Sequence, residues 1–366
     1  MKLKDVVKHL DSIAPPVTAE AWDNVGLLVG DPGAAVSRAL LCIDYTDAVA
    51  DEAKAAGADL IYAYHPPIFK PLKRLTAGGA SALVFDAVRR GVAIYSPHTA
   101  LDVAEGGTND VLADVLGLID RRPLKPGEPK AHECKLVTFA PEDVASKVAE
   151  AIFAAGAGRI GDYSHCSFRT HGTGTFFGES GTNPAVGEAG KLETAAEIKI
   201  ETVVPMARVP EVIAALRQAH PYETPAFDLV ALAAPPTGDG IGRVGRLAVP
   251  MPRAQTFDRL KAGLGVDRLL ISGPTDGDVT VVAVCAGACG ELLEQALAAK
   301  ADLYVTGEMR HHDALRAAAA GMTVVCTLHS HSERVTLHKL LPRLTRELPQ
   351  INWSVSVADR DPFAII

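Results

Sequence analysis

The chain has 366 residues with 36 Lys or Arg against 44 Asp or Glu, a formal charge of −8. An acidic chain with no basic run lacks the electrostatic footprint of a nucleic-acid binder. Its 48% hydrophobic and 22% charged residues are those of a folded globule rather than a disordered chain. No apolar run approaches the ~20 residues needed to cross a membrane. The opening MKLKD leads into an amphipathic stretch instead of an apolar signal core. The expected location is therefore the cytoplasm, with neither a membrane nor a nucleic acid as partner.

In chain order, RALLCID reads as a strand, DAVADEAKAAG as a helix, ADLIYAY as a strand, ASALVFDAVRRG as a helix and GVAIYSP as a strand. Short apolar runs alternating with Ala-rich amphipathic ones predict βαβ units and a mainly parallel sheet. A boundary follows at 121–130 (RRPLKPGEPK), rich in proline and charge. A second lies near 234–240 (APPTGDG), where Pro235 and Pro236 cannot join a sheet interior. The stretch between them has more glycine and more strand-like runs. The βα pattern then returns in VTVVAVCAG, ELLEQALAAK, ADLYVTG, HHDALRAAAAG and MTVVCTL. The expected fold class is α/β, divided as 1–128, 129–236 and 237–366, with the middle part inserted.

The two outer blocks also resemble each other. ADEAKAAGADLIYAYHPP aligns with LEQALAAKADLYVTGEMR, and GVAIYSPHTALD with GMTVVCTLHSHSE. Each copy ends in a histidine followed four residues later by an acid, His98 and Asp102 in one and His329 and Glu333 in the other. Such a repeat predicts two pseudo-equivalent half-domains with their strand ends on one side. Open α/β sheets place their ligands at those ends.

Taken singly, the polar residues there have ordinary explanations. His65 ends the strand LIYAYH before Pro66 and Pro67, and could be a capping histidine. Asp102 could be a turn carboxylate, and Glu333 could favour a helix amino terminus. Together, His65, Asp102, His329 and Glu333 make a mixed N/O set suited to Zn²⁺, Fe²⁺ or Mn²⁺. Carboxylates can bridge two cations and hold an activated water between them. The six cysteines, Cys42, Cys134, Cys166, Cys285, Cys289 and Cys326, lack paired CxxC spacing and read as buried thiols. His165, Cys166, His220 and Tyr222 of the insert fit no metal spacing and read as packing. GEAG and GTGTF lack the setting and the lysine of a phosphate loop.

The strings WDNVGLLVGDP, YHPPIFKPLKRLT, SPHTALDVAEGGTND, ADLYVTGEMRHHDAL and HSHSERV resemble, in order, the signature segments of the Nif-three-like dinuclear-metal family. Its members are also called GTP cyclohydrolase I type 2 homologues. The resemblance implies a Nif-three-like core, and the insert is similar to a ferredoxin-like (PII/CutA-like) α+β domain of the family's longer members. It implies a homohexamer with one or two divalent ions per chain, held here by His65, Asp102, His329 and Glu333. The family segment usually begins with two adjacent histidines, whereas this chain has Tyr64 before His65. A neutral phenol is a poor ligand, so the second metal is weak, absent or rescued by His98 or His331. The implied activity is hydrolytic opening of the purine ring of GTP by metal-activated water, with Glu333 or His312 carrying protons. The alternative is a non-catalytic metal-binding regulator or scaffold with an effector-binding insert.

Overall fold

The computed structural model describes residues 1–127, 133–233 and 238–364. The chain divides into two units, Met1–Gly127 with Thr237–Ile366, and Glu128–Pro236. The junctions expected at 128/129 and 236/237, with Pro235 and Pro236, lie outside the described residues.

The first unit contains two sheets. In one, Arg38–Cys42, Leu60–Ala63 and Ala93–Ser96 run parallel, and Gly26–Val29 lies antiparallel beyond Ala93–Ser96. In the other, Asp278–Cys285, Leu303–Thr306 and Thr323–Cys326 run parallel, with Leu270–Ser272 antiparallel beyond Thr323–Cys326. Both sheets thus contain an antiparallel edge followed by three parallel strands in reverse chain order. All residues of Leu60–Ala63, Ala93–Ser96 and Leu303–Thr306 are buried. That is why these strands read as continuous apolar runs rather than alternating ones. The helices between them carry ordinary punctuation. Thr46 caps Asp47–Ala56 through its hydroxyl, and Gly57 ends that helix at φ 64°.

The two sheets exchange elements. Helix His329–Glu347 leaves the second sheet after Thr323–Cys326, yet its Leu337, Leu340 and Leu344 pack with Leu41, Tyr62 and Tyr95 of the first. Helix Thr108–Leu116 follows the first sheet, and its Leu112 and Leu116 pack with Val282, Val284 and Leu303 of the second. Each fully buried Leu contributes roughly 1.5–3 kcal/mol, so both exchanges are strongly held. The edges follow suit. Asn352–Val355 pairs parallel with Arg38–Cys42, and Gly240–Pro252 joins Asp278–Cys285 and then Ile119–Pro126.

That last pairing corrects the sequence reading of RRPLKP as a joint. Ile119–Pro126 is an edge strand, with Pro123 opposite Arg243 and Pro126 opposite Gly240. An edge tolerates proline because its outward side needs no donor. Of the thiols, Cys42, Cys134, Cys285 and Cys289 are buried and Cys166 and Cys326 partly so, all unpaired. Among the described residues no helix is long and apolar enough to cross a membrane.

The second unit runs β-α-β-β-α-β, the order of ferredoxin-like units. Its antiparallel sheet has the order Phe168–Phe177, Leu192–Pro205, Glu133–Pro141, Phe227–Ala231. Helices Glu142–Ala154 and Val209–Ala219 cover one face, Ile152 and Leu216 packing with Leu136, Ile198 and Ile200.

In the first unit Gly127 N donates to Asp239 O at 3.1 Å, and Pro126 pairs with Gly240. The strands on either side of the insert are therefore already a hairpin in geometry. Replacing 128–238 by a two-residue Asn-Gly turn is expected to leave a chain that melts cooperatively and takes up added Zn²⁺ as the full chain does. Circular dichroism and metal analysis check this, and an aggregated, metal-free product would show the insert to be integral.

Candidate metal centre

His65 is fixed by the sheet itself: Tyr64 N and His65 N extend the ladder to Cys42 O (2.8 Å) and Ile43 O (3.0 Å). Pro66 and Pro67 then stop the strand. His329 opens the long helix after Thr323–Cys326, and Glu333 lies one turn further on the same face. The residue before His329, Leu328, has φ 68°, and His98 has φ 29°. Side chains of this size rarely adopt such values, which concentrate where function holds the backbone.

Helix exchange brings the pieces together. His65 Nε2 lies 3.4 Å from Glu333 Oε2, and His329 Nε2 lies 3.2 Å from Glu333 Oε1. The two imidazole centroids are 5.4 Å apart. One ligand atom from each of the three residues falls within 4.8 Å of the others. Both rings are anchored from behind, His65 Nδ1 on Asp44 Oδ1 at 2.9 Å and His329 Nδ1 on Glu308 Oε1 at 2.8 Å. A carboxylate on Nδ1 orients the ring and leaves Nε2 directed at the cluster, the usual support of a metal-bound imidazole.

Two further observations test whether a cation fits. Glu333 is buried, and its Oε2 has only a long contact, 3.4 Å, to His65 Nε2; a cation held there would satisfy that oxygen more closely. Gly287, at φ 73°, forms a wall of the site. A Cβ there would sit 3.0 Å from Glu333 Oε1 and 3.6 Å from His329 Nε2, filling the space beside the donors. Two imidazoles and a carboxylate are a donor set for Zn, Fe or Mn.

The electrostatics follow from the same contacts. Burial alone would lift the Glu333 carboxyl, but hydrogen bonds and charge from His329 and His65 hold it below its usual value. Burial would lower His65, yet Asp44 and Glu333 raise it to about 10. Glu333 chiefly raises His329 to about 9. Burial lifts Asp102 to about 6 against the hydrogen bond from Tyr64.

Tyr64 is fully buried, and its hydroxyl donates to Asp102 Oδ1 and lies 2.9 Å from Thr108 Oγ1. Burial and the charges of Asp102 and Glu333 push its pKa well up, so it is a neutral donor. Asp102 O accepts from Asn109 Nδ2, and Asn109 Oδ1 accepts from Ala286 N, both at 2.9 Å, stitching the loops of the two sheets together. His98 donates from Nδ1 to Asp23 at 2.8 Å, with its centroid 5.3 Å from His65. His331 is tied by Nδ1 to Thr327 O at 3.1 Å. His312 stands exposed, edge-on to His311.

Of the residues singled out by sequence, His65, His329 and Glu333 therefore form one cluster. Asp102 and Tyr64 form a bonded pair beside it, His98 touches His65, and His331 and His312 are engaged elsewhere. His220, in the insert, is buried and bonded to Phe139 O, as packing requires. Sequence reasoning missed Asp44 and Glu308. Each stands two residues beyond a parallel strand, in CID and TGE, and that shared offset was the available signal. The carboxylate of Asp23, in the segment WDNVGLLVGDP, receives both His98 and Thr99.

A two-sheet α/β core whose strand-end loops close on two imidazoles and a buried carboxylate defines a class of proteins built around a candidate metal site. The Duf34/NIF3 (NGG1p interacting factor 3) family model matches residues 1–362, and the chain belongs to that family. It is 41% identical over 317 residues to a Mycobacterium tuberculosis protein named GTP cyclohydrolase 1 type 2 homolog, covering 86% of this chain and 83% of that one. A protein of the same name from Halalkalibacterium halodurans is 36% identical over 366 residues, covering 99% and 98%. Among solved structures, a Bacillus cereus protein related to NIF3 matches with TM-score 0.73 and 34% identity over 100% of this chain and 99% of that one. Staphylococcus aureus protein SA1388 matches with TM-score 0.79 and 28% identity over the same shares.

With pKa values of about 10 and about 9, both imidazoles are protonated at neutral pH and must lose those protons to bind a cation through Nε2. Binding of Zn²⁺ near pH 7 is thus expected to release about two protons per ion. Calorimetry in buffers of different ionisation enthalpy reads this directly. Release near zero would show that His65 and His329 are not the ligands.

Proposed function

We propose that the chain is a metal-dependent hydrolase with a di-metal centre, acting as a GTP cyclohydrolase I type 2-like enzyme that opens a purine ring. The observation that carries this reading is the pair of Nε2 atoms, each anchored from behind by a carboxylate, turned toward the buried Glu333. Zn, Fe or Mn held by His65, His329 and Glu333 would supply a water acidic enough to act near neutral pH. A second, weaker position falls to Asp102, with His98 beside it. Asp102, at about 6, can exchange a proton near neutrality, and Tyr64, donating to Oδ1, leaves Oδ2 for it. Proton transfer falls to Glu333 or His312, with Asp102 a third candidate. Trp22, 60% exposed, lies edge-on to His98 (6.1 Å) and near Phe69 (5.8 Å), and offers a ring face to a planar base.

The same reading takes the protein as a cytoplasmic homohexamer, with 1–128 and 237–366 as pseudo-repeated halves and 129–236 as a PII/CutA-like insert. One observation favours a second reading, a non-catalytic metal-binding regulator or scaffold: Tyr64 presents Asp102 with a neutral phenol where the family's usual imidazole would bind metal.

Incubation of the Zn-, Fe- or Mn-loaded protein with GTP is expected to release formate, and Glu333→Gln to lower the rate roughly 100-fold or more, beyond the loss seen for outer partners of metal sites. Formate from none of the three, with metal still bound, would assign the chain to the regulatory reading. Tyr64→His supplies an imidazole beside Asp102, and metal analysis is expected to show its occupancy rising toward two ions per chain. Equal occupancy in both proteins would mean that position 64 does not limit the second metal.

A further inference from the structure

The second unit contains a cavity of about 590 Å³ that lies wholly within it. Ile198 and Ile200 of strand Leu192–Pro205 pack under the two helices, so Glu197 and Lys199 project from the opposite, helix-free face. In register with them on the edge strand are Gly172, opposite Glu197, and Thr170, opposite Lys199. The row on that face therefore reads Thr170, Gly172, Gly174, Phe176, with two adjacent places lacking any side chain. Glycine within a strand weakens it and often marks where another group approaches the backbone closely.

The two glycines differ in what lies over them. A Cβ on Gly174 would fall 2.2 Å from Glu197 Oε2, so the carboxylate rests directly on that residue. A Cβ on Gly172 would meet nothing within 4 Å, so the floor beside the carboxylate is open. Glu197 is also aimed. Its Oε1 accepts from the Tyr222 hydroxyl at 2.8 Å, Tyr222 N donates to His220 Nδ1 at 3.1 Å, and His220 Nε2 donates to Phe139 O at 2.8 Å. Oε2 receives no hydrogen bond among the described residues. The nearby cation Lys199 is engaged with Glu201 at 3.3 Å. Phe139 and Phe176 give the cavity apolar walls, and its volume falls within the range of small-molecule pockets.

We propose that this cavity binds a small planar organic cation of the amidine or guanidine class, its N–H groups on Glu197 and its flat body over Gly172. A planar pair of N–H donors matches a carboxylate in a way that an ammonium or a neutral ring does not. The inference is independent of the chemistry at the metal centre, and makes the insert a ligand-responsive unit under either reading of that centre.

Benzamidine is the probe, titrated by calorimetry and ligand-observed NMR into the full chain, with benzoate as the control of opposite charge. Saturable binding at one site per chain is expected, with none for benzoate. Glu197→Gln keeps the shape and the Tyr222 contact, and is expected to weaken binding about tenfold or more. Gly172→Val puts its Cβ into the open floor and suits a strand, so it is expected to abolish binding while the melting temperature holds or rises. No saturable binding by the wild type, equal binding of benzoate, or benzamidine binding unchanged in Glu197→Gln would each overturn the proposal. Should Gly172→Val fail to fold, the Glu197→Gln comparison alone decides.

Discussion

A carboxylate removed from water must be matched by positive charge or it loses its own, and Glu333 meets that demand with two imidazoles from different sheets. His65 comes from the end of a strand in the first sheet, and His329 from the helix that begins at the second. The remaining architecture of the first unit serves that meeting. Helix His329–Glu347 must reach across to the first sheet to place Glu333 against His65, and its leucines bury themselves there. Helix Thr108–Leu116 makes the reverse crossing, and Asn109 at its start joins Asp102 O to Ala286 N. Behind the cluster, Asp359 accepts from Ile43 N and from Arg334 Nη1, each at 2.6 Å. The last residues of the chain thus lock the helix turn after Glu333 to the strand end that precedes Asp44.

Much of this was legible in the sequence, and the part that was not has a physical reason. Apolar runs such as LIYA and LYVT announce buried parallel strands whatever their neighbours are. His329 with Glu333 four residues later was legible because the pair opens the helix that follows an apolar strand. Ile119–Pro126 escaped because its partner strand lies beyond the insert, and an edge strand rich in Pro and Arg carries no alternation to betray it. Asp44 and Glu308 escaped because a lone acid in a loop has the same appearance whether it caps a helix or braces an imidazole. The Tyr64–Asp102 bond could not be foreseen from spacing, since it depends on the exact height of two neighbouring strand ends.

Position 64 is where this chain's own chemistry departs from the ligand pattern its family resemblance implies. Burial lifts the Asp102 carboxyl to about 6, and the uncharged phenol opposes that only through its hydrogen bond. Beside the braced pair of imidazoles on a buried carboxylate lies a carboxyl and a phenol sharing a hydrogen bond. The second unit has its own core and its own aimed carboxylate in Glu197.

The central claim, that His65, His329 and Glu333 form one cation site, is tested most directly by anomalous diffraction from crystals of the Zn²⁺-loaded protein. A peak about 2.0–2.2 Å from His65 Nε2, His329 Nε2 and a Glu333 oxygen is the result expected. Zinc bound only at other side chains, with these three still paired to one another, would contradict it.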